Sequence, residues 1–392
     1  MKLSQRVARI SISSTAEVFA AASKLKSQGI DLVDLGAGEP DFPTPENIKQ
    51  AAIQSIRKNF TRYTPTDGIT ELKEAIIDRH RQDFQSNYTP EEVLVTAGGK
   101  HAIFNLICAL IDPGDEVVIP SPYWVTFREA VFYAGGSCRF VKTNESENFR
   151  LTAHQIATTL SEKTRLILLN SPNNPSGAVI SQKELHEIAN LAYKRNIMVV
   201  SDECYCHFVY DGFPRFSMAS LGKTYRDNLI IVGSVSKTYS MTGWRVGYCL
   251  ASPILVKAMI KIQSHCTSNA NSIAQKAAVE ALLGSQTSVQ EMQTEYSKRR
   301  TFIVQALNDI PGLSCNWPDG AFYVYPNVQQ FIGGREKITT SDLALQLLDK
   351  AHVAVVPGEA FGTNEHLRLS YANSTQQLAE GANRLKKFFE EL

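Results

Sequence analysis

The chain has 392 residues, 43% of them apolar, enough for two or three domains with large cores, which excludes a disordered or fibrous chain. Lys and Arg number 40 against 39 Asp and Glu, a net charge of +1, so nothing calls for nucleic acid or another polyanion as partner. The 7 cysteines contain no C-x-x-C pair, no apolar run reaches the ~20 residues that span a bilayer, and Met1–Arg6 lack a signal-peptide core; the expectation is a cytoplasmic protein without disulfide framework, metal cage or membrane partner.

Residues 1–45 hold one helix, about Ser14–Gln28, and a Gly/Pro-rich segment. Between Glu92 and Ser252, short β-branched runs alternate with helical stretches. The strands are expected at Glu92–Thr96, Glu116–Ile119, Leu166–Leu169, Ile197–Val200, Leu229–Val232 and Val246–Leu250. Helices are expected at Lys100–Ile111, Trp124–Tyr133 and Gln182–Lys194, the first begun by Gly98-Gly99 and ended by Asp112-Pro113-Gly114-Asp115. From about Ser285 the pattern changes to a long charged helix from Val289 to about Asn308, then Pro311-Gly312, a strand at Gly320–Tyr325 and a helix at Ser341–Ala351. Strands at Val353–Val356 and His366–Tyr371 and a last helix from Thr375 complete it. The expected fold is α/β: a large domain, 46–285, with a mostly parallel sheet covered by helices, plus a smaller α+β domain, 286–392, joined by residues 1–45 as arm and partner.

Ligands of open parallel sheets bind outside the carboxyl ends of the strands, so the residues that follow each strand carry the chemistry. Here these are Gly98-Gly99-Lys100, Pro120 to Trp124, Asn170 to Gly177, Ser201 to Tyr205 and Gly233 to Lys237. Singly, each has a plainer reading. Gly98-Gly99 and Asn174-Pro175 suit turns, Trp124 a core, Asp202 a helix cap, and Arg245 and Arg368 surface ion pairs. Gathered on one rim, they supply a lysine that can form a Schiff base, a carboxylate suited to a protonated ring nitrogen, and glycine amides, serines and an arginine suited to a phosphate ester. That set fits pyridoxal 5′-phosphate.

The chain resembles the fold-type I, class I pyridoxal-phosphate aminotransferases, most closely the prokaryotic aspartate aminotransferase subgroup, from about Arg6 to the C-terminus. The resemblance is carried by Ala37-Gly38-Glu39-Pro40-Asp41-Phe42, Tyr63 to Gly68, Ser171 to Gly177, Ser201 to Tyr205, Val355 to Gly358 and Leu367 to Tyr371. Its most specific part is Ser234-Val235-Ser236-Lys237, continued by Thr242-Gly243-Trp244-Arg245-Val246-Gly247-Tyr248. The resemblance implies that Lys237 forms the internal aldimine and then shuttles the substrate proton, that Asp202 pairs with the pyridine nitrogen, and that Tyr205 and Asn174 donate to the ring oxygen. It implies a phosphate cup of Ser234, Ser236, Arg245 and the backbone of Gly99 and Lys100, with Trp124 against the ring. Arg368, with Gly38, Trp124 and Asn174, would hold the substrate; a guanidinium takes an α-carboxylate bidentately where a lysine does not. Tyr63 would reach the phosphate of the neighbouring subunit, making a homodimer with shared sites. Cis bonds at Ser121-Pro122 and Asn174-Pro175 belong to the same pattern.

The implied activity is ping-pong transamination between an L-amino acid and a 2-oxo acid, aspartate with 2-oxoglutarate first. An aromatic, prephenate or kynurenine-type substrate, or a β-lyase on the same scaffold, is the alternative. Some relatives place a lysine near the position of Ser11 to meet the far carboxylate of the ligand. Arg9-Ile10-Ser11-Ile12 offers none, which leaves Arg128, Ser14 and Thr15 as candidates. A serine acyl-enzyme is not favoured, because S-x-x-K recurs at Ser23, Ser55 and Ser220 and no K-T-G follows. A dinucleotide fold is disfavoured because Gly36-Ala37-Gly38 lacks its third glycine.

Overall fold

The strongest packing signal in the chain is a set of aliphatic runs buried on both sides. In Leu166 to Leu169, Val199-Val200 and Ile230 to Val232 every side chain is buried, and the alternation divides them between two cores. Ile167, Leu169, Val199 and Ile231 enter one; Leu166, Leu168, Val200, Ile230 and Val232 enter the other. The structure, a computed structural model, describes residues 3–12, 14–333 and 338–392.

In chain order the strands are β1 (Val33–Asp34), β2 (Val93–Thr96), β3 (Glu116–Ser121), β4 (Ser137–Lys142), β5 (Thr164–Asn170) and β6 (Met198–Asp202). They continue with β7 (Leu229–Ser234), β8 (Gly247–Leu250), β9 (Tyr323–Val324), β10 (Val353–Ala354), β11 (Val356–Pro357) and β12 (Leu367–Ser370). Seven of them form one sheet, ordered β2-β8-β7-β6-β5-β3-β4. Only β8 runs against the rest, antiparallel to both β2 and β7. Its reversal brings the start of β8, just after Arg245, to the rim where the other strands end.

The helices Gly99–Leu110, Thr126–Ala134 and Pro253–Ser264 cover one face through Ile103, Leu106, Phe127, Val131, Val256 and Met259. The helices Thr70–Phe84, Gln182–Arg195 and Ser272–Leu283 cover the other through Leu72, Ile76, Leu185, Ile188 and Ala277. Trp124, expected inside a helix, lies two residues before it. Strand β4 escaped the sequence reading because it is the sheet edge: Ser137-Cys138-Arg139-Phe140-Val141-Lys142 buries only Val141.

The segment expected as one strand, Val353–Val356, divides between two sheets. β10 pairs in parallel with β1, whereas β11 pairs antiparallel with β12, which also pairs with β9. The expected helix to Ala351 is α-helical at Thr340–Gln346 and closes with a π turn at Leu347–Ala351, beyond which His352 is left-handed. The N-terminal helix Ser14–Ser27 shares a small core, Ala22, Leu32, Leu348 and Ala354, with the C-terminal part of the chain. The bonds Ser121-Pro122 and Asn174-Pro175 are cis, and so is Ser171-Pro172.

Candidate active site

The segments that follow β2, β3, β5, β6 and β7, and Arg245 before β8, line one cavity of about 460 Å³ at the common rim. Lys237, Asp202, Tyr205, Asn174, Trp124, Gly99, Lys100, Ser234, Ser236, Arg245, Gly38 and Arg368 all line it. Of the residues to which the resemblance gives a place on the cofactor, Tyr63 lies outside, 93% exposed on the surface of the chain.

At the end of β6, Asp202 is buried, and its Oδ1 accepts from the N–H of Cys204 at 3.1 Å. Burial raises its pKa to about 6, against the lowering effects of the Cys204 hydrogen bonds and the Lys237 charge. Behind β7, Ser234 caps the short helix Val235–Thr238: its Oγ accepts from Ser236 N–H at 3.0 Å and lies 2.7 Å from Ser236 Oγ. That turn carries Lys237 into the cavity, where Nζ donates to Gly38 O at 2.5 Å. Burial lowers the amine to about 8; nearby Cys204 and Glu39 oppose that shift.

Gly98 has φ +91°, a conformation glycine adopts freely, and begins the helix Gly99–Leu110. A Cβ there would come 2.5 Å from Nη2 of Arg245, so the missing side chain is what lets the guanidinium lie across the helix start. Arg245 donates to Thr242 O at 2.9 Å, and the N–H groups of Gly99 and Lys100, the first two of the helix, precede the first intrahelical bonds to Gly98 O. Together with the hydroxyls of Ser234 and Ser236, the guanidinium and these amides make an anion cradle. Trp124 stands beside it with the Lys100 ammonium 5.1 Å from its ring centroid.

Arg368 is 2% exposed, flanked by Leu367 and Leu369, which enter the core as strand alternation requires. Its Nη1 donates to Asn174 Oδ1 at 3.2 Å and its Nη2 to Gly36 O, while Nε is buried without a partner. Asn174 is held in turn by Asn170, whose Oδ1 accepts its N–H at 2.8 Å. Tyr205 meets the hydroxyl of Tyr323 at 2.8 Å.

Arg128 does not reach the cavity. It pairs with Glu129 at 3.6 Å and lies over Phe132 at 5.2 Å, so the expectation that it meets the far end of a ligand is not met. Thr15 lines the cavity; the side chain of Ser14 lies outside the described ones. The sequence reading gave no role to Tyr323, Asn170, Glu39, Thr242 and Cys204, all on the cavity wall. Asn170 and Cys204 lie in the polar runs expected after their strands, without a part of their own there; Tyr323 had no local signal. Among the described residues, no group of three His, Cys, Asp or Glu is placed to hold a metal.

A buried amine, a buried acid, an anion cradle and a sunken arginine meet on the rim of a mostly parallel sheet, an arrangement suited to a phosphate ester and a carboxylate. Comparison with known proteins makes the class specific. Residues 30–385 match the family described as Aminotransferase class I and II. Aspartate aminotransferase of Bacillus subtilis is 40% identical over 390 residues, covering 100% of this chain and 99% of that one. Aspartate/prephenate aminotransferase of Nitrosomonas europaea is 42% identical, covering 98% and 99%. Among solved structures, aspartate aminotransferase of Rhizobium meliloti superposes with a TM-score of 0.94 at 38% identity, covering 100% of this chain and 99% of its own. The Thermus thermophilus enzyme with maleate gives 0.93 at 39%, covering 99% of each chain. The chain belongs to the class I and II aminotransferase family and is an aminotransferase.

Proposed function

We propose that the chain transfers the amino group of L-aspartate to 2-oxoglutarate by a ping-pong route, with pyridoxal 5′-phosphate held on Lys237. The observation that carries this is the meeting of Lys237, Asp202 and Arg368 in one cavity, from three separate parts of the chain. The donor set fits that cofactor. Burial disfavours the ionised form of Asp202 despite the nearby Lys237 charge, and a protonated ring nitrogen would restore it. Gly98 leaves open a cradle that a Cβ would fill, and the unpaired Nε of Arg368 awaits an acceptor.

Bound there, the cofactor supplies an electron sink that lets the Cα–H bond of the amino acid break. The remaining work belongs to the protein. Burial lowers the Lys237 amine to about 8, so near neutral pH it gives up its proton far more readily than an ordinary lysine. Its Nζ can therefore act as nucleophile and then carry the proton away from the substrate Cα and back. Asp202 would hold the ring-nitrogen proton. Ser234, Ser236, Arg245 and the N–H groups of Gly99 and Lys100 would hold the phosphate, Trp124 would lie against the ring, and Tyr205 and Asn174 would donate to the ring oxygen. Arg368 grips the substrate α-carboxylate, and Gly38, whose carbonyl accepts from the lysine, borders the same space.

We assign 46–285 to a large cofactor-holding domain and 286–392 with 1–45 to a small one that brings Gly38 and Arg368 onto substrate and shuts out water. Pairing of β1 with β10 supports that division. Exposure of Tyr63 supports a homodimer in which it completes the partner's phosphate site. Among the described residues no helix is long and apolar enough to cross a membrane, and with 7 free cysteines a cytoplasmic setting is the natural one.

The test is optical. The purified holoenzyme should be yellow, lose that colour with L-aspartate or L-glutamate, and regain it with the matching oxo acid. Prephenate restoring the colour faster than 2-oxoglutarate would support the second reading, favoured by relatives named aspartate/prephenate aminotransferase. Pyruvate and ammonia from a β-substituted amino acid, without amino exchange, would assign a lyase and refute the proposal.

A further inference from the structure

Tyr323 joins two parts of the site that come from distant segments. It lies on β9, and Ser370 of β12 is its pairing partner, so it stands diagonally beside Arg368. The ring is 1% exposed, and the Cζ of Arg368 lies 4.7 Å from its centroid. Its hydroxyl lies 2.8 Å from that of Tyr205. A Cβ on Gly38 would come 2.9 Å from the same oxygen, so the glycine is what leaves it room. The charged and titratable groups around it are Arg368, Tyr205, Cys204 and Glu39, with Lys237 bonded to the neighbouring Gly38 carbonyl.

We propose, resting on the roles given above to Tyr205 and Arg368, that Tyr323 is a positioning residue for transamination: its hydroxyl fixes Tyr205 as a donor to the cofactor's ring oxygen, and its ring fixes the plane of Arg368. Each phenol has one proton. If Tyr205 gives its proton to the ring oxygen, the bond between the two phenols can only run from Tyr323 to Tyr205. Such a chain polarises: a donor that is itself accepting is a stronger donor. The ring face meanwhile orients the guanidinium, so one side chain sets both the cofactor's proton affinity and the grip on the substrate carboxylate.

The test uses four forms of the holoenzyme: Tyr323→Phe, Tyr323→Leu, Tyr205→Phe and the double Tyr205→Phe/Tyr323→Phe. The readouts are the pH midpoint of the cofactor's visible absorbance without substrate, kcat and KM for aspartate, and the melting temperature. Tyr323→Phe should raise the midpoint by roughly 0.3–0.6 unit and lower kcat, with KM within about twofold. Tyr205→Phe should raise it further, and the double variant should match Tyr205→Phe rather than the sum, because the two phenols act in series. Tyr323→Leu should in addition raise KM by roughly fivefold or more. Should Tyr323→Phe fold poorly, Tyr323→3-fluorotyrosine keeps the shape with a stronger donor and should move the midpoint down. A midpoint unmoved by Tyr323→Phe while Tyr205→Phe shifts it, additive effects in the double variant, or an unchanged KM in Tyr323→Leu would overturn the inference. A midpoint that stays put in Tyr205→Phe as well would overturn the role of Tyr205 itself, and the inference with it.

Discussion

Replacing Arg368 by Lys keeps the charge and removes the geometry. The guanidinium now spans Asn174 Oδ1 at 3.2 Å and Gly36 O, and lies 4.7 Å from the Tyr323 centroid and 5.2 Å from that of Phe361. A lysine ammonium offers a single point, so one of two charge-assisted bonds to the substrate carboxylate is lost, roughly 1.5–3 kcal/mol. Poorer contact with the two rings adds roughly 0.5–2 kcal/mol. Taking about 3 kcal/mol in all, kcat/KM for aspartate should fall by roughly 100-fold. The assay follows oxaloacetate formation over a range of aspartate, with the cofactor spectrum as control, since Arg368 takes no part in the phosphate cradle. An Arg368→Lys enzyme within threefold of wild type would refute the two-point grip.

Lys237→Ala should lower turnover by at least roughly 10²–10⁴-fold, with a melting temperature near wild type; full activity in a stopped-flow or steady-state assay would remove the lysine from the chemistry. Gly98→Ala must hold φ +91° with a Cβ 2.5 Å from Arg245 Nη2, so cofactor affinity of the apoenzyme, read by fluorescence titration, should weaken by roughly tenfold or more. Glu203, next to Asp202, is buried with Oε2 unpartnered, and burial raises its pKa from 4.5 to about 7. The unfolded chain releases that proton near 4.5 and the folded one near 7, so its favourable contribution is complete below 4.5 and is lost as pH rises to 7. The melting temperature of Glu203→Gln relative to wild type should therefore climb between pH 5 and pH 8, by the equivalent of roughly 2–3 kcal/mol, and parallel curves would refute the assignment.

What the sequence made legible follows from what kind of signal each part carries. Strands buried on both faces, such as Leu166 to Leu169, announce themselves by unbroken aliphatic runs, and polar residues directly after them mark the rim. Lys237 and Asp202 were readable for that reason, and Arg245, which precedes β8, from the motif that continues from Ser234 and because serine and arginine so close together suit a phosphate. Four things were not readable. β4 looks polar because it is an edge, and β10 and β11 form one continuous run whose division depends on partners far away in the chain. Tyr323 has no local signal, because what places it in the site is its pairing with Ser370 and the absence of a side chain at Gly38. Arg128 had a plausible position on its helix, but nearby Glu129 and Phe132 take up its charge and its face.

The parallel contact of β1 with β10 has a bearing on how the polypeptide is made. While the ribosome works through the middle of the message, Val33 and Asp34 have no edge to join, since Val353 and Ala354 do not yet exist. The large sheet can form first, leaving the helix Ser14–Ser27 and the stretch to Gly38 waiting with Ala22 and Leu32 uncovered. A nascent chain of this kind should lean on holding chaperones at its beginning rather than its middle, and a stop codon shortly before Val353 should release the N-terminal segment to proteases while sparing the sheet.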